Sequence, residues 1–124
     1  MQEELTSCEL LVMKVIWGSD EILSIQEIVS EINRIYQKNW KTQTVSTFLS
    51  RIVKKGYLDM QRKGRSFYYY PQITEDEYGK REIAKCVDFW SDGKIDSLVA
   101  SFAEVRELSD EEKQRIRRLL DGMD

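Results

Sequence analysis

The fold of this chain is decided by residues 40–71, which read WKTQTVSTFLSRIVKKGYLDMQRKGRSFYYYP. The first part predicts a helix over Gln43–Lys55 that stops at Gly56, a residue suited to the left-handed C-terminal cap. Two alternating runs follow, at 57–62 and 65–70, and the second is rich in strand-forming aromatic residues. The stretch therefore predicts a short helix followed by a β-hairpin.

The predicted helix 43–55 has two faces of different chemistry. At about 100° per residue, one side collects the apolar residues Val45, Phe48, Leu49, Ile52 and Val53. The other side carries Gln43, Thr47, Ser50 and Lys54, flanked by Ser46 and Arg51. None of these outward residues is acidic, whereas a merely solvated helix more often carries Glu–Lys pairs. Gln can pair with adenine and Ser or Thr with several bases, so we expect this face to contact DNA.

Basic residues are concentrated around the same stretch. Residues 34–65 contain nine Lys or Arg and one acidic residue, Asp59, although the whole chain has a net charge of −3. Phosphate contacts supply most non-specific nucleic-acid affinity, so the block suggests a polyanion site. A solvated charged face is the alternative.

Phosphate contacts are expected from both ends of the helix and from the hairpin. Thr42 and Thr44 lie at the helix N-terminus, where free amides favour a phosphate, although Thr42 is alternatively the N-cap. The residues predicted to clamp the DNA backbone are Lys41, Arg51, Lys54 and Lys55 around the helix, with Arg62, Lys63 and Arg65 at the hairpin tip.

Helices are predicted before and after this stretch. Four segments pair a Ser or Thr with a Glu three residues later, the capping-box signature of a helix start: Thr6–Glu9, Ser24–Glu27, Thr74–Glu77 and Ser109–Glu112. Apolar periodicity predicts helices at about 7–17 and 25–37. Three helices and then a hairpin make a mainly α winged helix-turn-helix domain, residues 1–72.

Core positions follow from the same patterns. In the first two helices the residues expected inward are Cys8, Leu11, Val12, Val15, Ile16, Ile25, Ile28, Val29, Ile32 and Ile35. Leu58 and Met60 share one strand face. The aromatic residues expected in the core are Trp17, Trp40, Phe67 and Tyr69.

After Pro71 the chain becomes acidic and helical, with helices predicted at about 75–90, 95–102 and 110–120. Their apolar residues include Ile83, Val87, Trp90, Leu98, Val99, Phe102, Leu108, Ile116, Leu119 and Leu120. Roughly 50 residues are too few to bury this surface alone. We therefore expect residues 73–124 to be a helical dimerisation domain that pairs two copies of the chain. Folding back on the first domain is the alternative.

Several classes of protein are not expected. The chain has no histidine, its two cysteines, Cys8 and Cys86, stand far apart, and no Gly-rich phosphate loop or Ser/His/Asp set is present. We expect no enzyme, metal or cofactor. The acidic start Met-Gln-Glu-Glu and the lack of a long apolar run favour a cytoplasmic protein.

Taken together, the chain resembles the penicillinase repressor family, the BlaI/MecI/CopY type of winged-helix transcriptional repressor. The matching residues, in order, are Glu9, Val12-Met13, Ile16-Trp17, Trp40, Thr44-Val45, Thr47-Phe48-Leu49, Arg51-Ile52, Lys55-Gly56, Phe67-Tyr68-Tyr69, Ser97-Leu98-Val99 and Phe102. Each piece is weak by itself, and their order and spacing together are specific.

The resemblance implies a homodimeric repressor that covers a palindromic operator and blocks transcription. In the β-lactam-responsive members, release follows proteolysis between an Asn and a Phe in the tail, signalled by a membrane-bound sensor-transducer protein. The matching positions here are Ser101 and Phe102, so the Phe is kept and the Asn is replaced. Position 46 is often Arg in the staphylococcal members and is Ser here, so we expect a different operator.

The copper-responsive members carry a C-terminal cluster of cysteines that this sequence lacks. Thiolate binding of Cu(I) needs clustered soft ligands, so copper sensing of that kind is not expected.

We therefore predict a dimeric transcriptional repressor whose partners are double-stranded operator DNA and a second copy of itself. The genes that it controls would be of the β-lactamase or penicillin-binding type, or other stress-response genes. Two alternatives remain open: an adaptor whose winged helix binds protein, and a repressor gated by a small ligand between the domains.

Overall fold

The computed structural model describes residues 2–123. In chain order its elements are α1 (Ser7–Trp17), β1 (Leu23–Ser24), α2 (Ile25–Tyr36), α3 (Thr42–Lys55), β2 (Leu58–Lys63), β3 (Ser66–Pro71), α4 (Glu75–Ser91), α5 (Ile95–Val105) and α6 (Asp110–Asp121). The strands form one antiparallel sheet in the order β1-β3-β2. The fold is mainly helical, with the predicted three helices and hairpin in the predicted order.

The helix starts are held by the expected capping boxes. At Thr6, Ser24 and Ser109 the hydroxyl accepts the N–H of the residue three positions on, and that residue's carboxylate accepts the N–H of the cap. At α4 the Thr74 hydroxyl accepts the Glu77 N–H at 3.0 Å and donates to its carboxylate. The four sequence signatures therefore mark four real helix starts.

Helix α3 begins without a side-chain cap and ends at a glycine cap. Its N-cap is Lys41, which makes no side-chain capping bond, so the alternative prediction of Thr42 as N-cap was wrong. At the other end, Gly56 has φ 91° and ψ 10°, and its N–H donates to Ile52 and Val53 carbonyls. This left-handed cap explains why the helix stops where the sequence predicted.

One strand was not predicted. β1 is only two residues long, and Leu23 and Ser24 lie opposite Tyr69 and Tyr68 of β3. Two residues cannot show the alternation that identifies a strand, so the sequence carries no detectable sign of it.

Helices α1–α3 and the base of the hairpin enclose the hydrophobic core. The fully buried side chains include Val12, Met13, Ile28, Ile32, Val45, Leu49, Ile52 and Tyr57. Met13 belongs to this core although its position had not been predicted inward.

Two predicted core residues, Ile35 and Phe67, are exposed instead, and so is Met60 on the strand face that it shares with Leu58. Ile35 is 47% exposed in the last turn of α2, and Met60 and Phe67 are 45% and 37% exposed. Along β2 only Leu58 is buried, because the hairpin extends beyond the helices that cover its base. The prediction of Ile35 and Phe67 as core residues was therefore wrong.

The chain divides into two compact units, a first unit up to Gly79 and a second unit from Lys80. The sequence had placed this division after residue 72. The first turn of α4 belongs to the first unit because the Tyr78 ring lies 5.8 Å from Trp17 and 5.4 Å from Tyr57. The Tyr78 hydroxyl also accepts the Leu5 N–H at 3.0 Å.

The second unit contains the rest of α4 with α5 and α6. Between Lys80 and Met123, Ser91 is the one buried residue, and every aliphatic and aromatic side chain is partly or fully exposed. None of the helices within residues 2–123 is long and apolar enough to span a membrane.

Candidate nucleic-acid interface

Helix α3 is anchored by one face and presents the other to solvent. Val45, Leu49 and Ile52 are completely buried. The exposed positions, which with half-buried Ser46 we name the polar face of α3, are Thr42, Gln43, Thr44, Thr47, Ser50, Arg51 and Lys54. The structure thus brings together on one helix surface the residues that were predicted to meet DNA there.

The approach of the chain to α3 is fixed by a contact that sequence reasoning missed. The Asn33 amide donates to the Trp40 carbonyl at 3.0 Å and accepts the Trp40 N–H at 2.9 Å. The Trp40 ring packs 5.2 Å from Phe48. These bonds tie the segment before α3 to α2 and so fix where the polar face begins. An Asn inside a helix was the one available sign of this role.

The N-terminus of α3 is suited to an anion. Its first turn contains no acidic residue, and no side chain caps its backbone amides. Free amides at a helix start, together with the helix dipole, favour a phosphate. Exposed Lys41 adds a positive charge at this end.

The hydroxyls of the polar face are not equivalent. Thr47 donates its hydroxyl hydrogen to the Gln43 carbonyl at 3.1 Å, four residues back in the same helix. Its oxygen can still accept a hydrogen bond, and its methyl group can contact a thymine methyl. Ser46 and Ser50 make no such bond to the helix, so they can both donate and accept.

The two lysines at the C-terminal end of α3 have different surroundings. Lys54 is exposed. The Lys55 ammonium lies 2.6 Å from Glu9 Oε1 and donates to the Glu4 carbonyl at 2.9 Å. Lys55 had been predicted to clamp the DNA backbone, and the structure places it in an internal ion pair instead. The Lys55 ammonium is therefore not presented on the polar face of α3.

Glu9, the partner of Lys55, is 1% exposed. Burial by itself raises the pKa of Glu9, but the Lys55 ammonium, the Thr6 N–H and the positive charges of Lys55 and Arg51 lower it below its ordinary value of 4.5. Glu9 is therefore a buried carboxylate that stays charged at neutral pH.

The hairpin β2–β3, the wing, presents its basic residues on different faces. Arg62 lies opposite Phe67 in the register, its guanidinium is 5.8 Å from that ring, and its Nε donates to the Gly64 carbonyl at 3.1 Å. Lys63 points to the other face, since side chains alternate along a strand. Its ammonium is 5.6 Å from the Tyr70 ring, and hydrogen bonding to Tyr70 raises the pKa of Lys63.

The tip of the wing is a tight turn. Gly64 has φ 65°, and exposed Arg65 follows it. A glycine is favoured there because any other residue would be strained at a positive φ angle. The wing therefore carries three cations at its end, two of them held over aromatic rings.

We also considered a cleft, the cysteines and groups of metal-binding side chains as functional sites. An open cleft between α1 and α2, lined by residues including Lys14, Leu23, Gln26 and Arg34, contains none of the predicted DNA-binding residues. Cys8 is half-buried and Cys86 exposed, and neither is in a disulfide. Within residues 2–123 no group of three His, Cys, Asp or Glu side chains is placed to hold a metal ion.

The residues predicted for dimerisation lie on the second unit without a covering layer. Trp90 is 75% exposed, Ile83 62%, Phe102 53% and Leu119 63%. Phe89, Ile95 and Val105 are exposed in the same way and had not been predicted. The predicted cleavage bond, Ser101–Phe102, lies inside α5 with both residues exposed.

Comparison with known proteins supports one family. The family model described as penicillinase repressor matches residues 5–122. The chain is 32% identical to the penicillinase repressor of Bacillus licheniformis over 118 residues, which cover 95% of this chain and 90% of the relative. It is 31% identical to the methicillin resistance regulatory protein MecI of Staphylococcus aureus (strain N315) over 117 residues, 94% and 93% of the two chains.

A solved structure agrees with this relationship. The solution structure of the Bacillus licheniformis BlaI monomeric form in complex with the blaP half-operator matches with a TM-score of 0.51 and 35% identity, covering 63% of this chain and 92% of that one. These relatives are repressors and regulators, not enzymes, as predicted for this chain. The chain belongs to the penicillinase repressor family, and its fold is the winged helix of that family with a helical C-terminal region.

Proposed function

We propose that this protein is a DNA-binding transcriptional repressor that occupies a palindromic operator as a homodimer. The observation that carries the proposal is the polar face of α3, which is rich in hydroxyls and cations, lacks acidic residues and lies on a helix anchored by a fully buried opposite face. The relative whose structure contains a half-operator shares this part of the fold. Such a repressor acts in the cytoplasm, beside the DNA.

In the proposed complex, α3 enters the major groove and its small polar side chains meet base edges. Gln43, Ser46, Thr47 and Ser50 are the proposed base-contacting residues. The proposed phosphate contacts are the N-terminus of α3 with Lys41, Thr42 and Thr44, the cations Arg51 and Lys54, and the wing residues Arg62, Lys63 and Arg65. Phosphate contacts position the helix, and the base contacts select the sequence.

The second unit supplies the dimer in this proposal. Its exposed apolar residues lie on three helices that bury none of them. A second copy of the same unit offers the same apolar surface, and a two-fold pair would cover both. Two linked recognition helices bind two half-sites far more tightly than one helix binds one.

Release would follow from loss of the dimer. Cleavage between Ser101 and Phe102 would separate part of α5 and all of α6 from the DNA-binding unit. The bond lies inside a helix, so α5 must open locally before a protease can cut it. The side chains of α5 are exposed, so local opening of this helix should cost little free energy. We propose a membrane sensor-transducer as the source of the signal and genes of the β-lactamase or penicillin-binding type as targets, by analogy with the names of the relatives.

Gel-shift titrations on the DNA upstream of the protein's own gene test the proposal. The expected result is tight, salt-sensitive binding to an inverted repeat that competitor DNA does not abolish. Ser46→Ala should reduce the preference for the repeat over competitor DNA, whereas Ser30→Ala on α2 is the matched control and should not. Equal binding to repeat and competitor by the folded protein would contradict the repressor proposal.

The adaptor alternative makes the opposite forecast. Binding of a protein partner by the winged helix would be insensitive to removal of the Lys54 and Arg62 charges and would not fall steeply with salt. A repressor gated by a small ligand would also bind the operator. It would dissociate from the DNA when the small molecule is added, and mass spectrometry would then show the repressor chain uncleaved.

A further inference from the structure

Glu9 is the one acidic side chain that is buried among residues 2–123. A buried charge is costly unless it is paired, and removing one partner of such a pair leaves an uncompensated charge. Glu9 is in α1, yet the group that pairs with it comes from the end of α3, 46 residues away. The carboxylate therefore acts directly on the helix proposed to enter the DNA groove.

The contacts around Glu9 fix the last turn of α3 to the N-terminal segment. Oε1 of Glu9 accepts the Thr6 N–H at 3.0 Å and the Lys55 ammonium at 2.6 Å. Around this pair, the Gln2 amide donates to the Lys55 carbonyl at 3.4 Å, and the Tyr57 hydroxyl donates to the Glu3 carbonyl at 2.5 Å. The Lys55 side chain is consequently only 14% exposed.

The second carboxylate oxygen lacks such a contact. Within residues 2–123, Glu9 Oε2 is buried and has no hydrogen-bond partner. Arg51 lies one turn before Lys55 on α3, is exposed, and is close enough for its charge to act on Glu9. Lys54, between them in sequence, is exposed and belongs to the polar face.

We infer that Glu9 is a positioning residue for DNA binding, which holds Lys55 inside the protein and leaves Lys54 as the lysine that meets the DNA backbone at this end of α3. The inference rests on the proposed DNA-binding function and refines it. Two adjacent lysines at the end of the recognition helix thereby have separate roles, one in fixing the helix and one in binding phosphate.

The salt dependence of DNA binding distinguishes the two lysines. Each phosphate contact made by a cation contributes about 0.9 to the slope of log K against log salt concentration. Fluorescence anisotropy with a short labelled duplex of fixed random sequence measures this slope even while the operator sequence is unknown. Lys54→Met should make it shallower by about 0.9 for each protomer on the DNA, or about 1.8 for a dimer, whereas Lys55→Met should leave it unchanged.

Glu9→Gln tests the role of the carboxylate itself. Gln has a similar shape and can still accept the Thr6 N–H, but it removes the charge that holds Lys55. The freed ammonium should reach a phosphate, so the slope should become steeper by about 0.9 for each protomer on the DNA. Adding Lys55→Met to Glu9→Gln should reverse that gain. Glu27→Gln, in the equivalent capping-box position of α2, is the matched control and should change nothing.

Two results would overturn the inference: a slope that falls as much in Lys55→Met as in Lys54→Met, or an unchanged slope in a folded Glu9→Gln protein. If Glu9→Gln or Lys55→Met does not fold alone, the double variant Glu9→Gln/Lys55→Met, which lacks both charges, replaces it in the comparison with Lys54→Met. Absence of salt-sensitive DNA binding by the unaltered protein would instead refute the proposed function.

Discussion

The two units of this chain use their apolar residues in opposite ways. In the first unit, three helices and the base of the wing bury Val12, Ile28, Val45 and Leu49 completely. In the second unit, Phe89 and Trp90 stack edge to face 4.9 Å apart, yet each is 75% exposed. The first unit forms its own hydrophobic core, whereas the second unit leaves its apolar residues exposed, and a second copy would cover them in the proposed dimer. In the proposed complex, the first unit would contact DNA and the second would pair two copies of the chain.

The largest expected effect comes from a charge placed on the surface of the second unit. Phe102→Asp should abolish dimerisation, because burying an unpaired carboxylate between two apolar surfaces is costly. Operator affinity should then fall by about 100- to 10,000-fold, the gain that linking two binding modules gives. Analytical ultracentrifugation and gel shifts measure both effects.

The control for this variant is Ile35→Asp in the first unit. Ile35 has a similar exposed fraction, 47% against 53% for Phe102. The Ile35 variant should stay dimeric and bind the operator. A monomeric Ile35→Asp protein, or a dimeric Phe102→Asp protein, would break the contrast between the units.

The next effect in size concerns the core of the first unit. Leu49→Ala should lower the free energy of unfolding by about 2–5 kcal/mol, since it removes a completely buried side chain from α3. Leu119→Ala in the second unit, where Leu119 is 63% exposed, should change the unfolding of the monomeric Phe102→Asp protein much less. Urea denaturation of both variants in that background makes the comparison. Equal losses would show that the second unit also has a core of its own.

A smaller effect is expected from single cations of the interface. Arg62→Ala should weaken binding to operator and competitor DNA alike, because a phosphate contact carries no sequence information. Gln43→Ala should instead lose about 1–3 kcal/mol of preference for the operator over a mismatched sequence. Competition titrations at one salt concentration separate the two. Loss of selectivity in Arg62→Ala would place the wing at base edges.

The smallest effect is a pH dependence that originates in Glu9. Its pKa is lowered in the folded protein, so the stability it contributes is present above its ordinary pKa of 4.5 and is lost as pH falls through the folded value. In thermal melts, the melting temperature of the unaltered protein should fall below about pH 4.5, and that of Glu9→Gln should fall less. The same loss in both proteins would assign the acid sensitivity to other carboxylates.

Local signals in the sequence predicted most of the fold. Capping boxes marked the starts of α1, α2, α4 and α6, and Gly56 marked the end of α3, because each depends on residues within one or two helical turns. Apolar periodicity likewise separated the buried and polar faces of α3.

The errors concern contacts between distant residues. The sequence shows Lys54 and Lys55 as equivalent, and only the approach of Glu9 in the folded chain distinguishes them. Alternation placed Phe67 on the inner face of the wing, but how far the helices cover that face is a tertiary property. The Asn33–Trp40 bonds were missed for the same reason.

In the proposed complex, α3 reads DNA as part of a two-fold dimer. Selection of bound duplexes from a random library by the unaltered protein tests it most directly, since the library contains every candidate half-site and the protein itself selects the operator. We expect enrichment of an inverted repeat whose half-sites are centred about 10–10.5 base pairs, or a multiple of that, apart. Enrichment of a single unrepeated site, or of no sequence at all, would contradict it.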